Sequence, residues 1–226
     1  RNVGVEEDVI VYCMDEVSYD KIQLDYNCEV RSFETGVTEE FHEYGKPQFR
    51  KVTESKIQII LNALQKEDSI IYTDCDVVFM QNPIDLVLSA EKMVSNDYDM
   101  DIYFASDDPF MPICTGFMYV KNTENVHNLF KKYFELSQLH AVTRSEVMYD
   151  QEIIHGILKD NLLEGNIFYA IYPTTFVKNG HQYWNESENR TGNESVIHVN
   201  FTIGEENKIN RLKEANLWYV KEEVTS

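Results

Sequence analysis

Asp74 and Asp76 stand one residue apart at the end of the apolar run Ile70-Ile71-Tyr72-Thr73, and Val77-Val78-Phe79 continues beyond them. Read as one buried strand, the segment sends alternate side chains to opposite faces, so the two carboxylates converge while Cys75 points away. Carboxylates in an apolar run cost several kcal/mol unless they are paired or bind metal, and the segment itself holds no Lys or Arg. The pattern therefore predicts a divalent-cation site. Its alternative is a solvated turn opened by two acidic residues.

Such a site needs a rigid frame, and the hydrophobic spacing around it describes one. Val9 to Met14 is a short apolar run before Asp15, as in a buried parallel strand. Residues 17–24 read as a short helix, and Cys28 to Phe33 as a strand before a Thr35-Gly36 turn. With Thr53 as N-cap, Ile57, Ile60, Leu61 and Leu64 form the stripe of an amphipathic helix that feeds the Asp74/Asp76 strand. Asn82-Pro83 joins a capping residue to a proline at the first helical position and predicts a helix through Leu88. Strands are expected over 102–106, 116–120, 167–172 and 196–199, and helices over 126–134, 153–158 and about 205–215. Asn179-Gly180 reads as a turn. Alternating strands and helices specify an α/β domain with a mostly parallel sheet, whose ligands bind beyond the carboxyl ends of the strands. Asp15, Asp74, Asp76 and Asp107 all lie at such ends.

A chain of 226 residues can bury one sizeable core, and no stretch resembles a linker, so a single domain over residues 1–226 is expected. The formal charge of -19 argues against nonspecific binding to nucleic acid or to an anionic membrane. An anionic ligand then needs a metal ion and a few placed basic groups. Cys13, Cys28, Cys75 and Cys114 are scattered without a zinc-type pair; they leave room for one disulfide, although free core cysteines are the commoner outcome. The sequence contains no apolar run long enough to cross a bilayer and no signal-peptide pattern at Arg1. Sequons at Asn185, Asn189, Asn193 and Asn200 point to the Golgi lumen or the secretory pathway, with a cytoplasmic location as the alternative.

Taken together, several separated pieces resemble the nucleotide-diphospho-sugar transferase family, glycosyltransferases of the GT-A fold with a D-x-D motif. They are Lys56, Asp74-Cys75-Asp76 followed by Asn82-Pro83, Thr115-Gly116-Phe117, Asp150-Gln151, His198-Val199-Asn200-Phe201, Gly204, Lys208 and Trp218. The resemblance implies a GT-A-type, Rossmann-like domain with a mostly parallel mixed sheet flanked by helices. It implies that Asp74, Asp76 and His198 hold Mn2+ (or Mg2+), a donor set of carboxylate and imidazole that suits the ion. Asp74, Lys56, Thr115, Gly116, Gly204 and Lys208 would form the donor site, with Thr115 and Gly116 also shaping the acceptor side. Asp150 and Gln151 would face the sugar as the catalytic pair; taken alone, Asp150 reads equally as helix-start chemistry. The implied reaction moves a sugar from a nucleotide diphosphate, UDP in the first instance, to a glycan or protein hydroxyl with retention of configuration.

Two departures from the family stand out. Cys114 occupies a position where members commonly carry Asn, and the family's first strand and helix are expected to precede the region matching Asn2-Val3-Gly4-Val5, so that either the sequence is truncated there or the nucleotide pocket is built differently. A haloacid-dehalogenase-like phosphatase, which also follows an apolar strand with D-x-D, is the enzymatic alternative, but it leaves His198 and Lys208 without roles. A sugar-binding relative without turnover is the other alternative.

Overall fold

The computed structural model describes residues 3–4, 9–35, 47–93, 99–143, 148–163, 165–186, 188 and 190–220. In chain order its elements are β1 (Ile10–Cys13), α1 (Glu16–Asp25), β2 (Glu29–Ser32), α2 (Pro47–Leu64), β3 (Ser69–Thr73), β4 (Val77–Phe79), α3 (Pro83–Met93) and β5 (Ile102–Ser106). They continue with β6 (Ile113–Lys121), α4 (Glu124–Thr143), α5 (Asp150–Lys159), β7 (Tyr169–Ile171), β8 (Val177–Lys178), α6 (Gly180–Trp184), β9 (Val196–His198) and α7 (Glu205–Glu214). Asn2, Val5, Gly36 and Asn189 lie outside the described residues.

The central sheet runs in the order β3-β6-β5-β7 and is covered on both faces. Residues of β5 alternate between the two covers. Ile102 and Phe104 pack with Ile57, Ile60 and Leu64 of α2, Leu129 and Phe130 of α4, and Ile153 and Ile154 of α5. Tyr103 and Ala105 face the opposite way, into a cluster with Leu86 and Ala90 of α3, Tyr172, Val177 and Val196. This double burial explains why β5 reads in sequence as an unbroken apolar run. A second sheet, β4-β9-β8, carries α7 through Ile197, Val199, Leu212 and Leu217, and β1 pairs with β2 in a separate two-stranded sheet.

The α/β class is as expected and the sheets are mixed, with a larger antiparallel share than the sequence suggested. β6 runs antiparallel to both β3 and β5, and β4 antiparallel to β9, while β5·β7, β8·β9 and β1·β2 are parallel. The local signals behave unevenly. Asn82 and Pro83 start α3 as predicted, with Asn82 Oδ1 accepting from Ile84 N at 2.8 Å. Thr53, by contrast, does not start α2, which begins at Pro47; its hydroxyl donates back to Arg50 O at 3.0 Å inside the helix. Asn179-Gly180 is a helix start instead of a hairpin turn, because Asn179 and Gln182 form a reciprocal capping box that opens α6.

The expected single strand through Ile70–Phe79 is also corrected. It breaks at Asp74–Asp76, leaving β3 in the central sheet and β4 in the second. The two aspartates sit on the link between sheets, and Cys75 is exposed on its outer side.

Candidate active site

The link between β3 and β4 is held from the strand beside it. Asp74 N donates to Gly116 O at 2.8 Å, and Val199 N donates to Asp76 O at 2.9 Å, so β6 and the end of β9 fix the two aspartates separately. β6 is irregular at this point. Phe104 pairs with Met118 but Ala105 pairs with Cys114, so Thr115, Gly116 and Phe117 bulge against a single step of β5. Bulges re-aim side chains next to sites, and this one turns Thr115 toward Asp150 and sets Gly116 against Asp74 and His198.

Around Asp76 the partners are basic. Its Oδ1 lies 3.2 Å from His198 Nε2, and its Oδ2 lies 2.5 Å from Lys208 Nζ. Burial would raise the Asp76 carboxyl, but hydrogen bonds and charge from His198 and Lys208 outweigh it and hold the group well below the usual carboxylate range. Burial likewise disfavours an imidazolium at His198, yet the Asp76 carboxylate and Cys114 push its pKa up to about 10. Cys114 Sγ is 3.5 Å from His198 Nδ1. The residue that departs from the family's Asn is thus the one behind the imidazole. Lys208 stands in the second turn of α7, whose N-cap is Gly204 at φ 88°, a left-handed conformation suited to glycine.

Around Asp74 a second cluster forms. Tyr72 OH donates to Asp74 Oδ1 at 2.7 Å, and Lys56 Nζ lies 3.3 Å from the same oxygen. Lys56 also reaches Asp150 Oδ2 at 3.0 Å, and Thr115 Oγ1 donates to that oxygen at 2.6 Å. Burial opposes charge on Lys56, but the Asp150 and Asp74 carboxylates dominate and hold it as an ammonium. Asp150 is 3% exposed at the first position of α5. Its carboxylate turns inward to Lys56 and Thr115; Glu152 serves the capping box instead. Asp150 thus stands in the first turn of α5, where the helix dipole favours a carboxylate, and is committed at the same time to Lys56 and Thr115.

Gln151 is held at both ends of its carboxamide. Nε2 donates to Asp107 Oδ2 at 2.6 Å, and Oε1 accepts from Thr115 N at 3.3 Å. Asn200 Nδ2 donates to Asp107 Oδ1 at 3.3 Å, while Asn200 Oδ1 accepts from Gly180 N at 2.7 Å. Burial raises the Asp107 carboxyl, an effect that the Gln151 and Asn200 hydrogen bonds partly offset.

Asp74, Asp76 and His198 each bring one ligand atom within 4.8 Å of the other two, which makes them the group among the described residues that could hold a metal ion. Two carboxylates and an imidazole suit Mn2+ or Mg2+ by donor chemistry, so the residues fit the expected ion. Asp15, expected near the same strand ends, instead caps α1 by accepting from Ser18 N at 2.7 Å. Of the other sequence candidates, Lys56, Gly116 and Lys208 adjoin the three-residue group, Thr115 and Asp150 meet Lys56, Gly204 O accepts from Lys208 N, and Gln151 is reached through Thr115. Tyr72 and Asn179 escaped the sequence reading. Tyr72 was visible only as one more apolar strand residue, and Asn179, which donates to Asp107 O at 2.8 Å, only as a turn signal.

With this geometry in hand, comparison places the chain among known proteins. Residues 5–212 match the model of the nucleotide-diphospho-sugar transferase family. The chain is similar to UDP-galactose:fucoside alpha-3-galactosyltransferase of Dictyostelium discoideum, 23% identical over 95% of this chain and 39% of that protein. It is also similar to UDP-D-xylose:L-fucose alpha-1,3-D-xylosyltransferase MGP4 of Arabidopsis thaliana, 22% identical over 81% of this chain and 54% of that one. The chain thus spans about 39% and 54% of the lengths of these relatives. Its fold is that of GT-A glycosyltransferases. A glycosyltransferase involved in the glycosylation of the major capsid of PBCV-1 superposes with TM-score 0.55 at 14% identity, covering 92% of this chain and 97% of that one. The glycosyltransferase GlyE of Streptococcus pneumoniae TIGR4 superposes with TM-score 0.50 at 13% identity, covering 93% and 57% respectively.

Proposed function

The chain belongs to the nucleotide-diphospho-sugar transferase family, and from that membership and the Asp74–Asp76–His198 group we propose that it is a metal-dependent, retaining glycosyltransferase acting on a UDP-sugar. The observation that carries the reading is that one carboxylate, Asp76, meets both His198 and Lys208, so imidazole, carboxylates and an ammonium converge where a diphosphate has to be held. The phosphatase alternative gives no work to His198 or Lys208. A bound Mn2+ or Mg2+ would supply Lewis-acid stabilisation of the charge that develops on the leaving diphosphate.

The protein's own residues account for the rest. Lys208, with its side chain 31% exposed, keeps N–H donors available for a phosphate oxygen beyond Asp76. Lys56 holds Asp74 and Asp150 in place by pairing with both, and Asp150 with Thr115 borders the position for the transferred sugar. Gln151 presents its carbonyl oxygen on the same side. In the transfer, the bond from the anomeric carbon to the diphosphate oxygen breaks and a bond to the acceptor oxygen forms on the same face. The acceptor proton passes to the departing phosphate oxygen, so no separate carboxylate base is needed.

Retention is supported by the relatives, which are described as making α linkages from UDP-galactose and UDP-xylose. They are also described as acting on fucoside or L-fucose, which makes a fucose-containing glycan the first acceptor to try. The test is a panel of UDP-sugars assayed for UDP release, with Mn2+ and after chelation. Release that depends on the metal supports the reading; phosphate release from simple phosphomonoesters in place of UDP release contradicts it.

A further inference from the structure

Asp107 differs from the other carboxylates of the site in the company it keeps. Asp74 and Asp150 share Lys56, and Asp76 has Lys208. Among the described residues no Lys or Arg pairs with Asp107; its two oxygens receive the carboxamide N–H groups of Gln151 and Asn200. The main chain around it is equally fixed. Asp107 N donates to Pro112 O at 3.2 Å, and its carbonyl accepts from Asn179 Nδ2. The residue is held from three elements, and what meets its two oxygens directly is a pair of amide N–H groups, with His198 acting on its charge only from farther away.

That arrangement has a chemical consequence at Gln151. An amide N–H donated to a carboxylate is a charge-assisted bond, and hydrogen bonds in series polarise one another. Through amide resonance, negative charge moves from nitrogen toward Oε1. Thr115 N fixes the direction of Oε1 with one hydrogen bond, and a carbonyl oxygen has a second lone pair to offer. An oxygen enriched in this way interacts more strongly with a carbon whose positive charge grows in the transition state than with the neutral ground state.

We propose that Asp107 is a positioning residue for Gln151: its fixed negative charge locks the carboxamide with Nε2 toward Asp107 and Oε1 toward Thr115, and strengthens Oε1 as the partner of the developing sugar cation. This rests on the transferase reading of the site. The role is distinct from acting as an acid or base, since it works through Gln151 and transfers no proton. It is also distinct from a purely structural role, because a neutral Asn at 107 keeps the size of the side chain while removing the charge.

The experiment uses the full chain as wild type, Asp107→Asn, Gln151→Ala and the double variant. With a UDP-sugar that turns over, Asp107→Asn is expected to lower kcat about 10- to 100-fold, the range for losing one charged hydrogen bond, while donor KM and the Kd for Mn2+ with UDP stay unchanged. In the Gln151→Ala background the same substitution should add no further loss, because the residue acts through Gln151. An unchanged kcat in Asp107→Asn, or full additivity in the double variant, overturns the proposal. A second readout is independent of turnover. The Gln151 side-chain NH2 signal, assigned by its absence in Gln151→Ala, should move upfield in the proton dimension in Asp107→Asn, and a stationary signal also overturns the proposal. Failure of the wild type to turn over any UDP-sugar would sink the transferase reading, while this NMR shift still decides the role of Asp107.

Discussion

His198 lies against Gly116 so closely that a β-carbon at residue 116 would stand 2.2 Å from His198 Cε1 and 2.9 Å from Asp74 Oδ2. Glycine here is the space that lets an imidazole from β9 meet the carboxylates of the β3–β4 link. Gly116→Ala should therefore displace His198, since the contact is with a ring that is 5% exposed and has nowhere to retreat. We expect a loss of about 1–3 kcal/mol in stability from overpacking, together with weaker Mn2+ binding. Thermal melting and a metal titration check both; wild-type metal affinity in this variant would contradict the geometry.

Metal binding should be coupled to a proton. In the metal-free protein His198 is pushed up to about 10, so it carries its proton at neutral pH and must lose it to lend a nitrogen to an ion. Mn2+ affinity should rise with pH toward that value, by about tenfold per unit at most, with a proton released on binding. Calorimetry in two buffers of different ionisation enthalpy measures the release. Without metal the linkage has the opposite sign. A folded-state pKa above the unfolded one gives stability that is full below about 6.5 and lost as pH rises through about 10, so the metal-free melting temperature should fall over that range.

Gln151→Ala should lower kcat by more than it raises donor KM, because the interaction of Oε1 strengthens only as positive charge develops on the sugar. The linkage formed by the wild-type protein, read by NMR, should keep the α configuration of the donor. A β-linked product would require a base, and Asp107, Asp108 and Asp150 would be the first residues to test.

The sequons give a prediction about compartment. Asn185 and Asn193 are exposed, whereas Asn200 is committed to Asp107 and to Gly180 N. Protein from its native host should lose mass on treatment with an N-glycosidase, with glycans at Asn185, Asn193 or Asn189 and none at Asn200. An unmodified native protein would favour the cytoplasm.

Much of the site was legible because its residue types are costly to place elsewhere. Asp74 and Asp76 are named by charge and spacing, His198 and Lys208 only by the resemblance to the family, and the alternation of apolar runs predicts the α/β class. What stayed hidden depends on how the chain bends. The D-x-D reads as the end of one strand because nothing in Ile70–Phe79 marks a break, yet the run divides between two sheets there. The bulge at Thr115–Phe117 has no sequence mark beyond Gly116. Lys56 reads as an anion-binding residue, and only the fold brings Asp74 and Asp150 to it from β3 and α5. Likewise, Asn179-Gly180 reads as a turn until Gln182 is seen completing the capping box, and Gly180 cannot carry a β-carbon because Asn200 O would lie 1.9 Å away.

The central claim is that Asp74, Asp76 and His198 hold a metal ion that in turn holds a nucleoside diphosphate, and calorimetry with Mn2+ and UDP tests it directly. Wild-type protein should bind UDP only weakly after chelation and at least about tenfold more tightly with Mn2+, while Asp76→Ala and His198→Ala should each lose that gain. Both variants should still melt cooperatively, since the core of α2, α4, α5 and the central sheet does not include either residue. Mn2+-independent UDP binding in the wild type, or an undiminished Mn2+ effect in both folded variants, would contradict the account.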